Sequence, residues 1–89
     1  MFEKEITELF GLCRKAIRET NSFVNFETRR GTSCPSTSIY IIDDGAIEEK
    51  DEFDGTYHIF EREELRESSL EEYRKAKEHL TRLLKENGS

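Results

Sequence analysis

The sequence predicts a two-layer α+β domain with an N-terminal helix, an antiparallel meander of three or four strands, and a C-terminal helix. Two terminal segments carry apolar residues at helical spacing, and the stretch between them alternates apolar and polar residues as strands do. Two Asp-Gly pairs interrupt that stretch where hairpin turns are expected. The 89 residues suffice for one small domain, so we expect residues 1–89 to share a single core, with both helices on one sheet face.

The first predicted helix covers residues 2–20. Its apolar positions advance in steps of one, three and four residues, which places them in one stripe along the helix. That stripe comprises Phe2, Ile6, Leu9, Phe10, Cys13, Ala16, Ile17 and Thr20. Gly11 lies inside the pattern at a cost to helix stability, which indicates that another backbone packs closely against it.

The strands are predicted from alternation and from β-branched content. Residues 23–30 alternate with period two, and "STSIYII" is rich in Ile, Thr and Tyr, so it predicts a second strand that ends near Ile42. After the first Asp-Gly pair, residues 46–53 read as a third strand whose charges suit a sheet edge. After the second Asp-Gly pair, residues 56–60 read as a fourth strand.

The C-terminal helix is predicted over residues 70–85, with Ser68 or Ser69 as its N-cap, because a glutamate follows three residues after each serine. Its buried stripe comprises Leu70, Tyr73, Ala76, Leu80, Leu83 and Leu84. His79 flanks that stripe, so we expect it at the boundary between core and solvent.

Charge is distributed unevenly along the chain. The net charge is −6 overall, yet residues 43–64 contain ten acidic residues against Lys50 and Arg62, a net of −8. Such a segment attracts basic protein surfaces and repels phosphate backbones. The acidic residues predicted to bind a partner are Asp43, Asp44, Glu48, Glu49, Asp51, Glu52 and Asp54.

A second candidate site is the polar stretch of residues 29–38, between the first two strands. It combines two arginines, a glycine and several hydroxyls that could hold an anion, a nucleotide or RNA, and Arg14 and Arg18 are candidates to lie nearby. The predicted anion-binding residues are Arg29, Arg30, Thr32, Ser33 and Ser36. Known phosphate cradles usually lead into a helix, whereas this stretch leads into a strand, so a hairpin connection is the simpler interpretation.

Other chemistries lack their sequence signals. The two histidines and two cysteines have no metal-ligand spacing, and the acidic turns lack the alternating oxygen ligands of a calcium loop, so we expect no metal and no cofactor. Cys34 precedes a strand rather than a helix, which argues against a redox thiol, and we expect both cysteines to be reduced. A core this small leaves little room for a substrate pocket, so we expect no enzymatic activity.

These observations predict a non-catalytic, cytoplasmic interaction protein. The N-terminal residues carry acids where a signal peptide carries bases, and no apolar run is long enough to span a bilayer. The expected partner is a basic surface on another protein, including nucleic-acid-binding proteins that an acidic inhibitor could occupy as a nucleic-acid mimic. A homodimer that pairs edge strands or helices remains an open alternative.

Overall fold

Three strands form one antiparallel sheet in a computed structural model that describes residues 2–30, 34–45 and 52–87. Helix α1 spans Glu3–Glu19, strands β1, β2 and β3 span Phe23–Arg30, Pro35–Ile42 and Gly55–Phe60, and helix α2 spans Arg66–Asn87. This order confirms the predicted α+β fold. The predicted fourth strand is β3. Of the predicted third strand, residues 46–51 lie outside the described residues, and residues 52–53 are not in a strand.

The sheet has β2 at its centre, and its register decides which side chains share a face. Ile39 lies opposite Phe26 of β1 and Tyr57 of β3, so these three side chains point toward the helices. Both helices pack on this face and enclose the core, in which Ile39 and Leu80 are fully buried. The other face of the sheet carries no described helix.

Helix α1 follows the predicted stripe only in part. Leu9, Cys13 and Ala16 are buried between the sheet and α2, as predicted. The prediction was wrong for Phe10 and Ile17, which remain 45% and 54% exposed because they lie on the flank of the helix that faces away from α2.

Gly11 also differs from its prediction. A Cβ atom built on Gly11 would meet no atom of the described residues within 4 Å, so no other backbone among them packs against it. The residue lies on the exposed side of α1, and no contact among the described residues requires a glycine at this position.

Helix α2 begins earlier than its capping pattern predicts. A 3₁₀ turn over Glu63–Leu65 leads directly into the helix at Arg66, so neither Ser68 nor Ser69 is the N-cap. The hydroxyl of Ser69 is buried instead, where it accepts a hydrogen bond from the amide of Phe60 and donates one to its carbonyl, both at 3.0 Å. The serine therefore attaches α2 to β3. The predicted stripe of α2 is confirmed, with Leu80 among its fully buried members.

Within the described residues, neither helix is long and apolar enough to cross a membrane.

Candidate functional site

The acidic segment, residues 43–54, begins where β2 ends. Of its seven predicted binding residues, Asp43 is half-buried, whereas Asp44, Glu52 and Asp54 are exposed. The remaining three, Glu48, Glu49 and Asp51, lie outside the described residues. The two described ends of the segment meet, because the Asp54 carboxylate accepts a hydrogen bond of 2.7 Å from the Asp43 amide.

Asp43 is held by a network centred on His79. Its Oδ1 lies 2.6 Å from Nε2 of His79, whose Nδ1 lies 2.7 Å from the hydroxyl of Tyr57. A neutral imidazole satisfies both contacts when Nε2 donates to the carboxylate and Nδ1 accepts from the hydroxyl. The second oxygen of Asp43 lies 3.2 Å from the Arg82 guanidinium. Both Asp43 oxygens therefore bind partners within the chain.

His79 is only 8% exposed, so the boundary position predicted for it was wrong. Its ring lies directly over Gly55, where a Cβ atom would come within 2.5 Å of Nδ1. The second Asp-Gly pair was predicted as a turn that needs a flexible glycine. The structure instead places Gly55 at the first position of β3, and its small size makes room for the imidazole ring.

The linear order of Tyr57, His79 and Asp43 resembles a catalytic relay, but its chemistry does not fit one. Burial raises the pKa of the Tyr57 hydroxyl, which disfavours the phenolate that a nucleophile would need. Both nitrogens of His79 already have partners, so neither is available to a substrate. We interpret the network as a structural attachment of the acidic segment to α2.

A cleft of about 320 Å³ lies beside this network. Its lining residues are Asp54, Tyr57, Lys75, Glu78, His79 and Arg82. Two cations, Lys75 and Arg82, and two carboxylates, Asp54 and Glu78, line this cleft, so its charge is mixed.

Aromatic rings cross the open face of the sheet, the face opposite the helices. Phe53, which belongs to the acidic segment, stacks on Phe23 with ring centroids 6.3 Å apart and packs against Tyr40 at 5.0 Å. The row continues from Tyr40 to His58 at 5.9 Å and from His58 to Phe60 at 6.2 Å. Phe53 and Phe60 remain 41% and 38% exposed. We did not predict this row from the sequence. The alternation of residues along β2 and β3 could have predicted it, because alternate residues of a strand share one sheet face.

The second candidate site is partly assembled. Arg29, Arg30 and Ser36 line one cleft of about 500 Å³ at the end of the β1–β2 hairpin, whereas Thr32 and Ser33 lie outside the described residues. Carboxylates line the same cleft, so its charge is mixed; its other lining residues are Glu3, Ile6, Thr7, Thr28, Pro35, Thr37 and Glu61.

The expectation that Arg18 lies beside this cleft was wrong. The cleft contacts the first turns of α1 through Glu3 and Thr7, whereas Arg18 lies in the last turn of the helix. Arg18 lies eleven residues after Thr7, the last residue of α1 that lines the cleft, a distance of about 16 Å at 1.5 Å per residue.

Both cysteines are free thiols. Cys13 is buried in the core, and this burial raises its pKa to about 12, so it is an inert core residue as predicted. Among the described residues, no group of three or more His, Cys, Asp or Glu side chains could hold a metal ion.

Comparison with known proteins gives no assignment: no family model matches the chain, and no curated protein and no solved structure matches it significantly.

Proposed function

We propose that this chain is a non-catalytic interaction protein that binds a basic surface on another protein. The observation that carries the proposal is the net charge of −8 over residues 43–64 in a chain that is otherwise slightly basic. We assign the contact to six carboxylates, hereafter the acidic surface: Asp44, Glu48, Glu49, Asp51, Glu52 and Asp54. Like charges concentrated in one segment steer a basic partner toward it and accelerate association.

Asp43 has a supporting role in this proposal. Its carboxylate accepts a hydrogen bond from His79 and pairs with the Arg82 guanidinium, so both of its oxygens are engaged within the chain. The same contacts fix one end of the acidic segment against α2, and the bond from the Asp43 amide to Asp54 fixes the other. Asp43 and Asp54 are thereby held in place in the unbound protein, so binding does not have to order these two residues.

Phe53 adds an apolar anchor to the acidic surface. It lies between Glu52 and Asp54 in sequence and is 41% exposed while its ring packs on Phe23 and Tyr40. Partly exposed aromatic side chains surrounded by polar residues are typical sites of strong binding, whereas charges at the rim mainly govern association rate and specificity. A partner with an Arg-rich surface would suit both features, because a guanidinium binds carboxylates and stacks on aromatic rings.

One form of this binding is inhibition by mimicry, in which carboxylates take the place of phosphates in the basic groove of a nucleic-acid-binding protein. The net charge of −6 and the small size of the domain support this form. It predicts that the captured partner loses nucleic-acid binding when this chain is added.

The test compares two variants that remove the same number of charges. The first replaces acidic-surface residues: E48Q, E49Q, D51N and E52Q. The control replaces exposed glutamates elsewhere: E19Q, E67Q, E71Q and E86Q. Affinity capture from the native host, followed by mass spectrometry and direct binding of the purified partner, should give equal capture by wild type and control, and weak capture by the first variant.

Both variants should melt close to the wild-type temperature, because the substituted residues that the structure describes are exposed. If the acidic-surface variant retains the same basic partner with unchanged affinity, the proposal is wrong.

A second candidate function is anion or RNA binding in the cleft that contains Arg29, Arg30 and Ser36. The observation in its favour is that all three described residues of the predicted set line this one cleft. Thermal shift with phosphate and nucleotides, and filter binding with single-stranded RNA, test it against the variant R29Q/R30Q. An acidic docking protein should bind none of these probes.

A further inference from the structure

The two edges of the sheet differ in how their backbone groups are satisfied. In β3, the amides of His58 and Phe60 point away from β2 and donate to side chains of α2, namely Glu72 at 3.3 Å and Ser69 at 3.0 Å. These side chains cover the β3 edge. Natural sheets are commonly covered at an edge in this way, which prevents strand pairing between molecules.

The register shows which groups of β1 form the opposite edge. Along each strand of an antiparallel pair, residues alternate between bonding to the partner strand and pointing away from it. Because the amides of His58 and Phe60 point away from β2, the residues opposite them, Ser38 and Ser36, form their backbone hydrogen bonds with β1. Their partners in β1 are Arg29 and Glu27, whose backbone groups point inward. The intervening residues Val24, Phe26, Thr28 and Arg30 therefore present their backbone groups outward. No described strand pairs with this edge.

A flank of α1 with two exposed apolar side chains, and with the Arg14 guanidinium 5.8 Å from the centroid of the Phe10 ring, lies above the same edge. Glu8 faces α2, where it contacts Lys77 at 3.2 Å. Phe10 lies two residues after Glu8, and Ile17 lies nine residues after it. At about 100° per residue, both side chains point about 180° to 200° away from Glu8 around the helix axis. Phe10 also packs on Phe26 of β1, with ring centroids 5.3 Å apart. Phe10 and Ile17 are among the most exposed large apolar side chains described.

We propose that the β1 edge pairs with the β1 edge of a second copy of this chain, which joins two sheets into one continuous six-stranded antiparallel sheet. The same contact brings the apolar flanks of the two α1 helices together. Both features are explained by one two-fold interface, because a symmetric contact places the same surface on each side. None of the residues named in this interface belongs to the acidic surface, so this proposal goes beyond the proposed function.

The charged residues of β1 favour a second copy of this chain at the β1 edge, and they select the register in which the two β1 strands pair. A two-fold axis through Phe26 places Glu27 opposite Asn25 of the second copy and Arg29 opposite Phe23. The first pair can form a hydrogen bond and the second a cation–π contact, and no like charges of β1 lie directly opposite each other. The two Phe26 rings and the two Phe10 rings then form one cluster. An axis through Glu27 would instead oppose two carboxylates.

The test is sedimentation equilibrium of the full chain up to millimolar concentration, with residue-specific amide exchange. The wild type should approach twice its chain mass of 10.5 kDa. The amides of Val24, Phe26 and Thr28 should be protected at high concentration and should exchange faster on dilution. The variant T28P removes one outward donor without removing an inward sheet hydrogen bond, and should sediment as a monomer.

A second variant tests the helix flank. I17K should raise the dimer dissociation constant by at least about tenfold, because it buries an unpaired charge in the interface. Leu65 is 37% exposed and lies in the 3₁₀ turn between β3 and α2, and β2 separates β3 from β1 in the sheet, so L65K is the matched control and should dimerise as the wild type does. A wild type that stays monomeric at millimolar concentration overturns the proposal, as do folded T28P and I17K variants that both remain dimeric.

Discussion

Single side chains attach the acidic segment to the rest of the domain. Asp43 supplies the acceptor that buried His79 needs, and the Ser22 hydroxyl donates a 2.7 Å hydrogen bond to the Asp43 carbonyl. Gly45, two residues on, has a φ of 73°, a conformation that favours glycine. Side chain and backbone of Asp43 are therefore both fixed, although the residue belongs to a turn.

We predict that D43A lowers the free energy of unfolding by about 1–3 kcal/mol, because it leaves the Nε2 donor of a buried imidazole without its partner. The variant E52A removes a charge of the same sign from an exposed residue of the acidic segment and should change stability by less than about 0.5 kcal/mol. Urea denaturation of both variants measures the difference. Equal effects of the two variants would contradict the structural role that we assign to Asp43.

The sequence could not reveal this network. His79 follows Asp43 by 36 residues and Tyr57 by 22, and nothing in the local pattern of any of the three links them. Sequence patterns located Asp43 within an acidic segment, but whether a carboxylate faces solvent or a buried partner depends on tertiary packing. Cys13 was predictable as a core residue, because it lies in the middle of the helical stripe, between Leu9 and Ala16, which are also buried.

Glycines in two different elements have opposite expected effects when they are replaced by alanine. G11A should raise the free energy of unfolding by about 0.5–1 kcal/mol, because alanine is the better helix former and its methyl group meets nothing within 4 Å. G55A should lower it by about 1–3 kcal/mol, because the added methyl group displaces His79 from its hydrogen bond with Tyr57. Chemical denaturation tests both, and a destabilising G11A would contradict the open space that surrounds Gly11 among the described residues.

The contact between α1 and α2 should weaken in acid. Glu8 accepts a hydrogen bond from the Tyr73 hydroxyl and pairs with Lys77, and these contacts hold the pKa of Glu8 below its ordinary value of 4.5. A carboxyl group with a lowered folded-state pKa stabilises the fold above its unfolded pKa, and this contribution is lost as pH falls through the folded-state pKa. Unfolding free energies measured between neutral pH and about pH 3 should therefore fall less steeply in E8Q than in the wild type. The exposed control E19Q should follow the wild-type profile.

At the scale of elements, the periodic patterns predicted both helices and all three described strands, with β1 matching at both ends. The patterns failed at the edges of the apolar stripe of α1. Phe10 and Ile17 follow the same spacing as the buried residues, yet the position of α2 leaves their flank uncovered. A hydrophobic period identifies a stripe, but the number and position of neighbouring elements determine how wide a part of that stripe is buried.

Over the whole molecule, the two proposed interfaces should respond differently to salt. The acidic surface acts through exposed charges, whereas the β1 edge and the α1 flank act through backbone hydrogen bonds and apolar side chains. Raising the ionic strength from about 0.1 M to about 1 M shortens the screening length from about 10 Å to about 3 Å. Partner binding should therefore weaken markedly, mainly through a slower association rate, while the dimer dissociation constant should change little. Binding kinetics and sedimentation at both salt concentrations measure the two effects. A dimer that dissociates in high salt would indicate that charge pairs, rather than strand pairing, hold the two copies together.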